Sequence, residues 1–395
     1  MHALHFGAGN IGKGFIGYLL NKTGYELCFV DVNQEAIDKF NSNNRYLVET
    51  LDDAHTVEVV SPVSALNVST QEEDVIRKIE SANLITTSIG VSNLSRIAGV
   101  ISKGLLERIK WNEHKLDIIA NENAINASST LKAEIEKQVS PEDMEKILTF
   151  VSFPNSSIDR LALSKETEKD EIALVEPFYE WLINQKEMIN EELPSITGAT
   201  YVEELKPFIE RKLYMVNMGH ATTAYIAYLF NKPTIQSALD NHEIEQFVRE
   251  TMKESAQYFI QKFNVKQEEM DNYIEKIIIR FKNKNISDNI YRVGRSPLRK
   301  LGHNERLVKP TTELFELNLP IKHLTAAVAA GFLFDNPDDD ESVALQNLIQ
   351  EHGLEEAIKH VTKITDIRLL NSIKDHFDNL QKQKDKGLMT LLNDY

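Results

Sequence analysis

Three polar side chains of different chemistry lie along one predicted helix in the second half of the sequence. Lys212, Asn217 and His220 fall within the run from Phe208 to Phe230, which is otherwise rich in apolar residues. At about 100° and about 1.5 Å per residue, they share one wide helix face and span about 12 Å. Any one of them alone is more typical of a satisfied structural group. Together they indicate a site that exchanges a proton with an alcohol oxygen.

The chemistry of these groups suits the oxidation of a secondary alcohol, in which the hydroxyl proton must leave as a hydride departs from carbon. A lysine that is kept from water beside a cationic ring can take that proton near neutral pH. Asn217 could donate its amide N–H to the developing alkoxide, and His220 could bind a neighbouring hydroxyl or orient Lys212. Such a site needs no metal ion, and we expect none.

A glycine-rich motif near the start of the sequence predicts a dinucleotide site. It follows a predicted strand at residues 2–6 and opens a predicted helix from Asn10 to about Lys22, and its residues are Gly7, Ala8, Gly9, Asn10, Ile11 and Gly12. Glycines at this spacing permit a tight turn, close approach of a pyrophosphate, and packing of the helix on the strand. The helix N-terminus then offers free N–H groups to the phosphates.

Two further positions are predicted to bind the same dinucleotide. Asp31 ends the next predicted strand, Tyr25–Val30, where a carboxylate can accept hydrogen bonds from both ribose hydroxyls and would repel a 2′-phosphate. Since no Arg or Lys follows it directly, we expect NAD and not NADP. Gly90, which ends the run from Thr86, could line the same cleft, although a plain strand terminus explains it equally well.

The order of predicted elements indicates an α/β fold with a Rossmann-type N-terminal domain and a largely α-helical C-terminal domain. Further strands are predicted at His55–Val60, Leu84–Ser88, Leu116–Ala120 and Ile147–Phe153, with helices at Glu72–Glu80 and Ser95–Ile109. This alternation favours a parallel, doubly wound sheet. After a junction near Glu191–Tyr201 the pattern is helical, at Val202–Phe230, Glu243–Phe263, Gln267–Phe281, Pro320–Phe334 and, with breaks, Glu341–Leu392. We therefore predict domains at 1–199 and 200–395.

Composition and charge exclude several classes of protein. The 395 residues carry a formal net charge of −16, which disfavours binding to nucleic acid or to anionic membranes. The single cysteine, Cys28, excludes an internal disulfide and a thiolate-rich zinc site. Without a membrane-spanning run or a secretory signal, the sequence predicts a cytoplasmic protein. We expect a monomer or a homodimer.

A basic segment interrupts this acidic chain. Between Arg292 and Lys309 six residues are Arg or Lys and only Glu305 is acidic, a local formal charge of +5. Arginine and lysine match the oxygens of a phosphate well, so the segment predicts a phosphate on the substrate, bound by Arg295, Arg299 and Lys300. The alternative is a surface patch that is paired with nearby acids. The acidic run Asp335–Asp340, in contrast, is expected to be a solvated loop.

The Lys-x4-Asn-x2-His spacing of Lys212, Asn217 and His220 resembles the signature of the polyol-specific long-chain dehydrogenases, the mannitol dehydrogenase family. Other stretches are similar to those of its members that act on mannitol 1-phosphate. They run from His5 to Gly17, Ala120 to Ala124, Ser156 to Arg160, Val175 to Phe178, Glu210 to Leu213, Asn217 to Ala221 and Arg292 to Leu301. Two departures, Asn121 in place of an expected cysteine and Met218 in place of an expected threonine, fall beside functional positions and not on them.

The resemblance implies roles for individual residues. It implies catalysis between the two domains, with Lys212 as general acid/base and with Asn123 and Asn217 as donors to the alkoxide. His220 would position the substrate, and Asp159 would bind substrate or support the lysine.

From these observations we predict NAD-dependent hydride transfer between D-mannitol 1-phosphate and D-fructose 6-phosphate, a small-molecule sugar phosphate pair. An alternative within the family is a sugar-acid reductase of the fructuronate or tagaturonate type, whose substrate carboxylate would meet the basic segment. A non-catalytic NAD-binding regulator is a third possibility, but it has no need for the three polar groups on one helix.

Overall fold

The computed structural model describes residues 1–166 and 170–386, which fall into two compact units. The first unit is Met1–Lys206 and the second is Pro207–Tyr395. The domain boundary predicted at 199/200 lies slightly before this division, and its exact position stays a prediction. Each unit has its own hydrophobic core.

The first unit contains all the strands of the described residues. They are β1 (His2–Phe6), β2 (Glu26–Asp31), β3 (Tyr46–Thr50), β4 (Val57–Val60), β5 (Val63–Asn67), β6 (Leu84–Thr87), β7 (Leu116–Ala120), β8 (Val151–Ser152), β9 (Ser156–Asp159), β10 (Ala162–Glu166), β11 (Glu171–Val175), β12 (Glu180–Asn184) and β13 (Ala199–Val202). Its helices are α1 (Tyr18–Lys22), α2 (Gln34–Asn43), α3 (Glu72–Ser81), α4 (Leu94–Arg108), α5 (Ala127–Glu136) and α6 (Pro141–Phe150), with a π-helical segment at Gly12–Gly17 and 3-10 turns at Val91–Asn93 and Gln185–Glu187.

The main sheet has the strand order of a Rossmann fold. Its six strands run β5-β2-β1-β6-β7-β8, and every neighbouring pair is parallel. Counted along the sheet in sequence order this is 3-2-1-4-5-6, with the reversal between β1 and β6. The central strands are buried on both faces, as parallel strands covered by helices must be. The site predicted from the glycine motif therefore lies where such sheets bind dinucleotides.

Two smaller sheets in this unit were not predicted in their present form. One has the order β10-β11-β3-β4 and the other β13-β12-β9. The predicted strand His55–Val60 is β4, an antiparallel partner of β3 that lies outside the main sheet. The predicted strand Ile147–Phe153 is wrong as far as residue 150, because Ser140 caps α6 and only Val151–Ser152 pairs with β7. Short apolar runs of this kind do not separate a strand from a buried helix.

The regular elements among the second unit's described residues are helices, joined by loops and turns. Its helices are α7 (Lys206–Arg211), which begins at the division, α8 (Met218–Leu229), α9 (Ile235–Leu239), α10 (His242–Phe263), α11 (Gln267–Phe281), α12 (Ile290–Gly294), α13 (Pro297–Lys300), α14 (Val308–Glu316), α15 (Lys322–Phe332), α16 (Asp340–His352), α17 (Leu354–Thr362) and α18 (Ile367–Lys386). A π-helical segment at Lys212–Asn217 joins α7 to α8. The predicted helix from Val202 begins later than expected, because Val202 ends β13; the last part of the predicted helix to Leu392 lies outside the described residues.

These observations confirm the predicted fold class, an α/β Rossmann-type domain followed by a largely α-helical domain. The spacing of hydrophobic residues that is typical of a strand or of a helix is a local property of the sequence. The alternation of these two patterns is why the fold class could be predicted. Among the described helices, none combines the length and the apolar character needed to cross a membrane.

Candidate functional site

The glycine motif forms the turn between β1 and the first helix, as predicted. Gly7 has a φ of 107°, and its N–H donates to the carbonyl of Val30 at 2.8 Å. A side chain at Gly12 would place its Cβ 1.9 Å from the carbonyl oxygen of Gly7. A Cβ at Gly9, in contrast, would meet no protein atom within 4 Å. Gly7 and Gly12 thus serve the turn itself, whereas Gly9 faces space that a ligand can occupy.

The other members of the motif hold the turn to its surroundings. The N–H of Ala8 donates to Asp31, and Asn10 accepts a hydrogen bond from the Ser164 hydroxyl on β10. Ile11 packs against the first unit's core. The helix begins at Asn10, so its unpaired N–H groups lie at the turn, where phosphates bind.

Asp31 does more than the sequence indicated. Its carboxylate accepts hydrogen bonds from the N–H groups of Ala8 at 2.6 Å, Val32 at 2.7 Å and Asn33 at 3.0 Å. The residue therefore ties the end of β2 to the glycine turn. A carboxylate fixed in this way is also preorganised to accept hydrogen bonds from a ribose.

A cavity of about 720 Å³ lies beside this carboxylate, at the carboxyl ends of β1, β2 and β6. This volume is within the range of small-molecule and cofactor sites, roughly 300–1,000 Å³. Gly7, Gly9 and Asp31 line one part of it, and apolar residues that include Val68 and Ile97 line another. Polar groups for a ribose and phosphates thus adjoin an apolar wall for an aromatic base, so the cavity fits the adenosine portion of a dinucleotide.

Glu122 is a functional candidate that the sequence reasoning missed. It is buried at the end of β7, and its carboxylate accepts hydrogen bonds from the Thr87 hydroxyl at 2.7 Å and from the N–H groups of Ile89 and Gly90 at 3.0 and 2.7 Å. It therefore shapes the loop that carries Gly90. Asn123 follows it on an exposed turn. An acidic residue two positions after a parallel strand was the available signal, because neighbouring strands of such a sheet end at the same edge.

His5 lies under the glycine turn and was also missed. It is fully buried on β1, with Nδ1 2.7 Å from the Thr86 hydroxyl and Nε2 2.8 Å from the Ser88 hydroxyl. Burial lowers the pKa of His5 to about 3, although the charge of Asp31 opposes the shift. The imidazole is therefore neutral, and it joins β1 to β6 at the point where the strand order reverses.

Asp159 lies at the end of β9, where it is buried. Its neighbour Arg160 is also buried and donates to the carbonyls of Glu176 and Gly14, so the strand end is joined to the helix that follows the glycine turn. The predicted substrate contact of Asp159 stays a prediction.

In the second unit, Lys212 and Asn217 are the first and last residues of the π-helical segment. The N–H of Met218 bonds to the carbonyl of Leu213, five residues earlier, as a π-turn requires. The hydroxyl of Ser255 on α10 donates to the carbonyl of Tyr214 at 2.7 Å and so satisfies a group in the widened turn. Because this turn brings residues five apart into register, Lys212 and Asn217 are closer on the helix face than the roughly 140° expected for an α-helix. Single π-turns inside α-helices are frequent at functional sites.

His220 follows on α8 and forms an ion pair that was not predicted. Its Nε2 lies 3.0 Å from Oδ2 of Asp288, although the ring N–H does not point along the line to that oxygen, and its ring stacks on Phe281 at a centroid distance of 4.8 Å. The other oxygen of Asp288 contacts Arg292. Burial lowers the pKa of His220 from its usual 6.5, and Asp288 opposes only part of this fall. Asp288 could not be identified from spacing, because it lies on a loop far from the helix in sequence.

The three predicted phosphate ligands have different environments. Arg295 is exposed and lines a cavity of about 560 Å³ that also contains Arg292, Asp338 and Asp339. Arg299 is exposed and lies 3.8 Å from Glu305. Lys300 is buried, and its amine donates to the carbonyl of Val293. Burial and the neighbouring arginines lower its pKa to about 7. The segment is thus partly paired with acids, as the alternative interpretation held, but it keeps two arginines at the surface.

The acidic run is not only a solvated loop, contrary to expectation. Oδ2 of Asp339 accepts the N–H of Ser296 at 2.7 Å, and Oε2 of Glu341 accepts the N–H of Arg299 at 2.9 Å. Ser296 has a φ of 59°, an uncommon conformation for a residue other than glycine. These carboxylates therefore hold the backbone of the basic segment in place.

Among the residues that the structure describes, no group of three or more His, Cys, Asp or Glu side chains is arranged to hold a metal ion.

Comparison with known proteins gives two family matches. The mannitol dehydrogenase Rossmann domain matches residues 1–197, and the mannitol dehydrogenase C-terminal domain matches residues 204–386. Among curated proteins, mannitol-1-phosphate 5-dehydrogenase of Halalkalibacterium halodurans is 44% identical over 362 residues, which cover 92% of this chain and 96% of that protein. The protein of the same name from Geobacillus stearothermophilus is 41% identical over 383 residues, 96% of this chain and 100% of that protein.

Solved structures show the same fold at low sequence identity. A substrate-free D-sorbitol dehydrogenase has a TM-score of 0.85 at 13% identity and covers 98% of this chain and 94% of its own. The ternary complex of Pseudomonas fluorescens mannitol 2-dehydrogenase with NAD and D-mannitol has a TM-score of 0.67 at 17% identity, over 100% of this chain and 94% of that one. With both domain families matched over nearly the whole length, the chain belongs to the mannitol dehydrogenase family.

Proposed function

We propose that this protein is an NAD-dependent dehydrogenase that interconverts D-mannitol 1-phosphate and D-fructose 6-phosphate. The observation that carries the proposal is the 44% identity, over 92% of the chain, to a curated protein named mannitol-1-phosphate 5-dehydrogenase. The predicted substrate, mannitol 1-phosphate, and the predicted reaction class agree with that name. The geometry of each unit supports a separate role for it: cofactor binding for the cavity of the first unit, and proton transfer for the helix of the second unit that carries Lys212.

The residues around the first unit's cavity fit NAD. Asp31 would accept the hydroxyls of the adenosine ribose, and the open space at Gly9 would let the pyrophosphate approach the backbone at the helix N-terminus. NAD held there would supply the hydride acceptor for oxidation of the alcohol. Val68 and Ile97 would pack on the adenine.

Proton transfer is assigned to the second unit's helix. Lys212 would take the proton of the C5 hydroxyl during oxidation and return it during reduction. Asn217, held near it by the π-turn, would donate its amide N–H to the developing alkoxide, and Asn123 would act as a second donor. His220 would hydrogen-bond a neighbouring hydroxyl of the sugar. No metal ion is assigned a role in these steps.

The phosphate of the substrate is assigned to the basic segment. Arg295 and Arg299 would bind its oxygens, and Asp159 would hydrogen-bond a hydroxyl of the sugar. Lys300 is a buried amine whose pKa is lowered to about 7 by burial first and by the neighbouring arginines second. A phosphate dianion that reaches this segment would favour the charged form of the amine, so phosphate binding would raise the charged fraction of Lys300.

The experiment is a steady-state assay of the purified protein with NADH and a panel of keto-sugars. We expect turnover with fructose 6-phosphate to exceed that with free fructose and with hexuronates, and to be unchanged by chelator. Higher turnover with hexuronates would identify a sugar-acid reductase, and loss of activity with chelator would contradict the metal-free mechanism.

The role of Lys212 is tested by Lys212→Ala. General acid/base groups typically supply about 10²–10⁴-fold in rate, so a loss of less than about tenfold in kcat would contradict the assignment. Lys253→Ala is the matched control, because Lys253 forms only an exposed ion pair with Glu250 on α10. We expect it to have normal kcat.

A further inference from the structure

Asp288 occupies a position that the reaction described above does not yet use. It follows α11 on a loop, where 16% of its side chain is exposed, and its two carboxylate oxygens contact two different cations or potential cations. Oδ2 lies 3.0 Å from Nε2 of His220, and Oδ1 contacts the guanidinium of Arg292. Burial disfavours the ionised carboxylate, but the contacts with His220 and Arg292 outweigh this and lower the pKa of Asp288. The group is therefore a carboxylate at neutral pH and can only accept hydrogen bonds.

The backbone around Asp288 is fixed on both sides. Its carbonyl accepts the N–H of Ile235 at 2.9 Å, and its own N–H donates to the side chain of Gln236 at 3.1 Å. Phe281 stacks on the other partner, the ring of His220, at an interplanar angle of 20°. The carboxylate and the imidazole are thus both held in one relative orientation by groups outside the pair.

The charges that face His220 favour its neutral form. Burial lowers its pKa from 6.5, and Arg280 at the end of α11 and Arg292 on α12 act in the same direction, while Asp288 opposes them. A neutral imidazole has one N–H and one acceptor nitrogen. Because Nε2 lies 3.0 Å from the Asp288 carboxylate, a lone pair on Nε2 would face a negative charge; this favours the proton on Nε2 and leaves the lone pair on Nδ1.

We propose that Asp288 is a positioning residue for the dehydrogenase reaction: it holds His220 in the tautomer protonated on Nε2, so that Nδ1 accepts a hydrogen bond from a hydroxyl of the sugar. The inference rests on the proposed function, which assigns the substrate and the roles of Lys212 and Asn217. His220 lies three residues after Asn217 on the same continuous helix, so a hydroxyl bound at Nδ1 is one held close to the reacting carbon.

Arg292 completes the arrangement. Arg292 belongs to the basic segment, but its guanidinium contacts the carboxylate of Asp288, four residues earlier in the sequence. Arg292 therefore stabilises the ionised form of Asp288, and binding of the substrate phosphate is assigned to Arg295 and Arg299. Replacing Arg292 with Gln should accordingly weaken turnover in the same way as a change at Asp288.

The decisive experiment is a double-mutant cycle on kcat for fructose 6-phosphate reduction, with Asp288→Asn, His220→Gln and the double variant. We expect Asp288→Asn to lower kcat by about 10- to 100-fold while NADH affinity changes less than threefold, the order of effect seen when the partner that orients a functional histidine is removed. If Asp288 acts through His220, the double variant is no slower than His220→Gln alone. Losses that multiply would overturn the proposal, because independent sites are additive in free energy.

A second measurement does not depend on activity. Long-range ¹H–¹⁵N correlation spectra of protein labelled at histidine report which ring nitrogen carries the proton, and His220→Gln assigns the signal. We expect His220 to be protonated on Nε2, and a proton on Nδ1 would overturn the proposal. Asp240→Asn is the matched control, because Asp240 pairs only with exposed Lys284 at 3.1 Å, and it should leave both the spectrum and kcat unchanged.

The proposed function and this inference fail in different ways. If the wild-type protein does not turn over fructose 6-phosphate, the proposed function is wrong whatever the tautomer. If the wild type is active and Lys212→Ala is not, but the cycle is multiplicative, only the assignment of Asp288 is wrong.

Discussion

Two substitutions in the glycine motif, Gly9→Ala and Gly12→Ala, each add one methyl group and together test cofactor binding and folding separately. Gly9 has an ordinary backbone conformation, and a Cβ there would meet no protein atom within 4 Å. Gly9→Ala should therefore fold as well as the wild type, or slightly better, since alanine reduces the entropy of the unfolded chain by the equivalent of about 0.4–1 kcal/mol. Gly12→Ala is the opposite case, because its Cβ would lie 1.9 Å from the carbonyl oxygen of Gly7.

The methyl group of Gly9→Ala would occupy the space through which a pyrophosphate reaches the backbone. If it displaces the phosphates enough to break one charge-assisted hydrogen bond, the loss is about 1.5–3 kcal/mol. This corresponds to an NADH dissociation constant that is about 10- to 150-fold higher. The assay is a fluorescence titration with NADH, together with a thermal unfolding curve of the protein without cofactor.

We expect Gly9→Ala to have a normal unfolding temperature and weak NADH binding, and Gly12→Ala to be expressed poorly or to unfold at a markedly lower temperature. The reasoning is refuted if Gly9→Ala binds NADH within threefold of the wild type, because the open space would then not be the path of the phosphates. It is equally refuted if Gly9→Ala loses stability as Gly12→Ala does.

Three further changes test the structure at separate points. Asp31→Ala should raise KM for NAD and relax discrimination against NADP, because it removes the carboxylate that would repel a 2′-phosphate; unchanged discrimination in paired kinetics would contradict that role. His5 has a pKa lowered to about 3 by burial, against 6.5 in the unfolded chain, so the unfolded state binds a proton that the folded state refuses. Its contribution is complete above the unfolded pKa and falls by roughly 2 kcal/mol between about pH 7 and about pH 5, a slope that urea unfolding should show and that His5→Gln should lose. Arg108→Leu should cost at least about 3 kcal/mol, because the buried guanidinium donates to four main-chain carbonyls, while exposed Arg77→Leu should cost less than about 0.5 kcal/mol in the same urea experiment.

The features that depend on neighbouring residues in sequence were predictable. The glycine turn, its strands and Asp31 form one local unit, and their spacing is set by the dimensions of a strand, a turn and a helix. The parallel, doubly wound character of the main sheet followed from the alternation of elements. The two smaller sheets could not be predicted in this way. In one of them β3 pairs with β11, which lies more than a hundred residues later in the sequence, and no local pattern indicates that pairing.

In the candidate site, the sequence indicated candidate side chains but not the residues that contact them. Lys212, Asn217 and His220 could be chosen because one helix carries all three. Glu122 and Asp288 act through tertiary contacts, and an isolated acidic residue in a loop is usually only solvated. The cofactor, phosphate and catalytic assignments of the individual residues stay predictions until they are tested.

The helix angles calculated from sequence were also inexact, for a physical reason. An average of about 100° per residue assumes regular α-helix, whereas residues 212–217 form a wider turn that Ser255 stabilises from α10. The sequence of residues 212–217 does not indicate a hydrogen bond from a helix that is distant in the chain. That the three groups share one face stays a prediction, and the widened turn changes the separation calculated for them.

The wide turn at residues 212–217 amounts to one amino acid more than a regular α-helix of the same length would hold. A deletion of one residue between positions 213 and 216 would restore an uninterrupted α-helical ladder and so be mild for the helix itself. Lys212 and Asn217 would then be four residues apart, about 40° around a regular α-helix, so both would stay on one face, but the carbonyl of Tyr214 would return to the helical ladder. The Ser255 hydroxyl would then compete with a helical N–H for that carbonyl, so the contact between this turn and α10 depends on the extra residue.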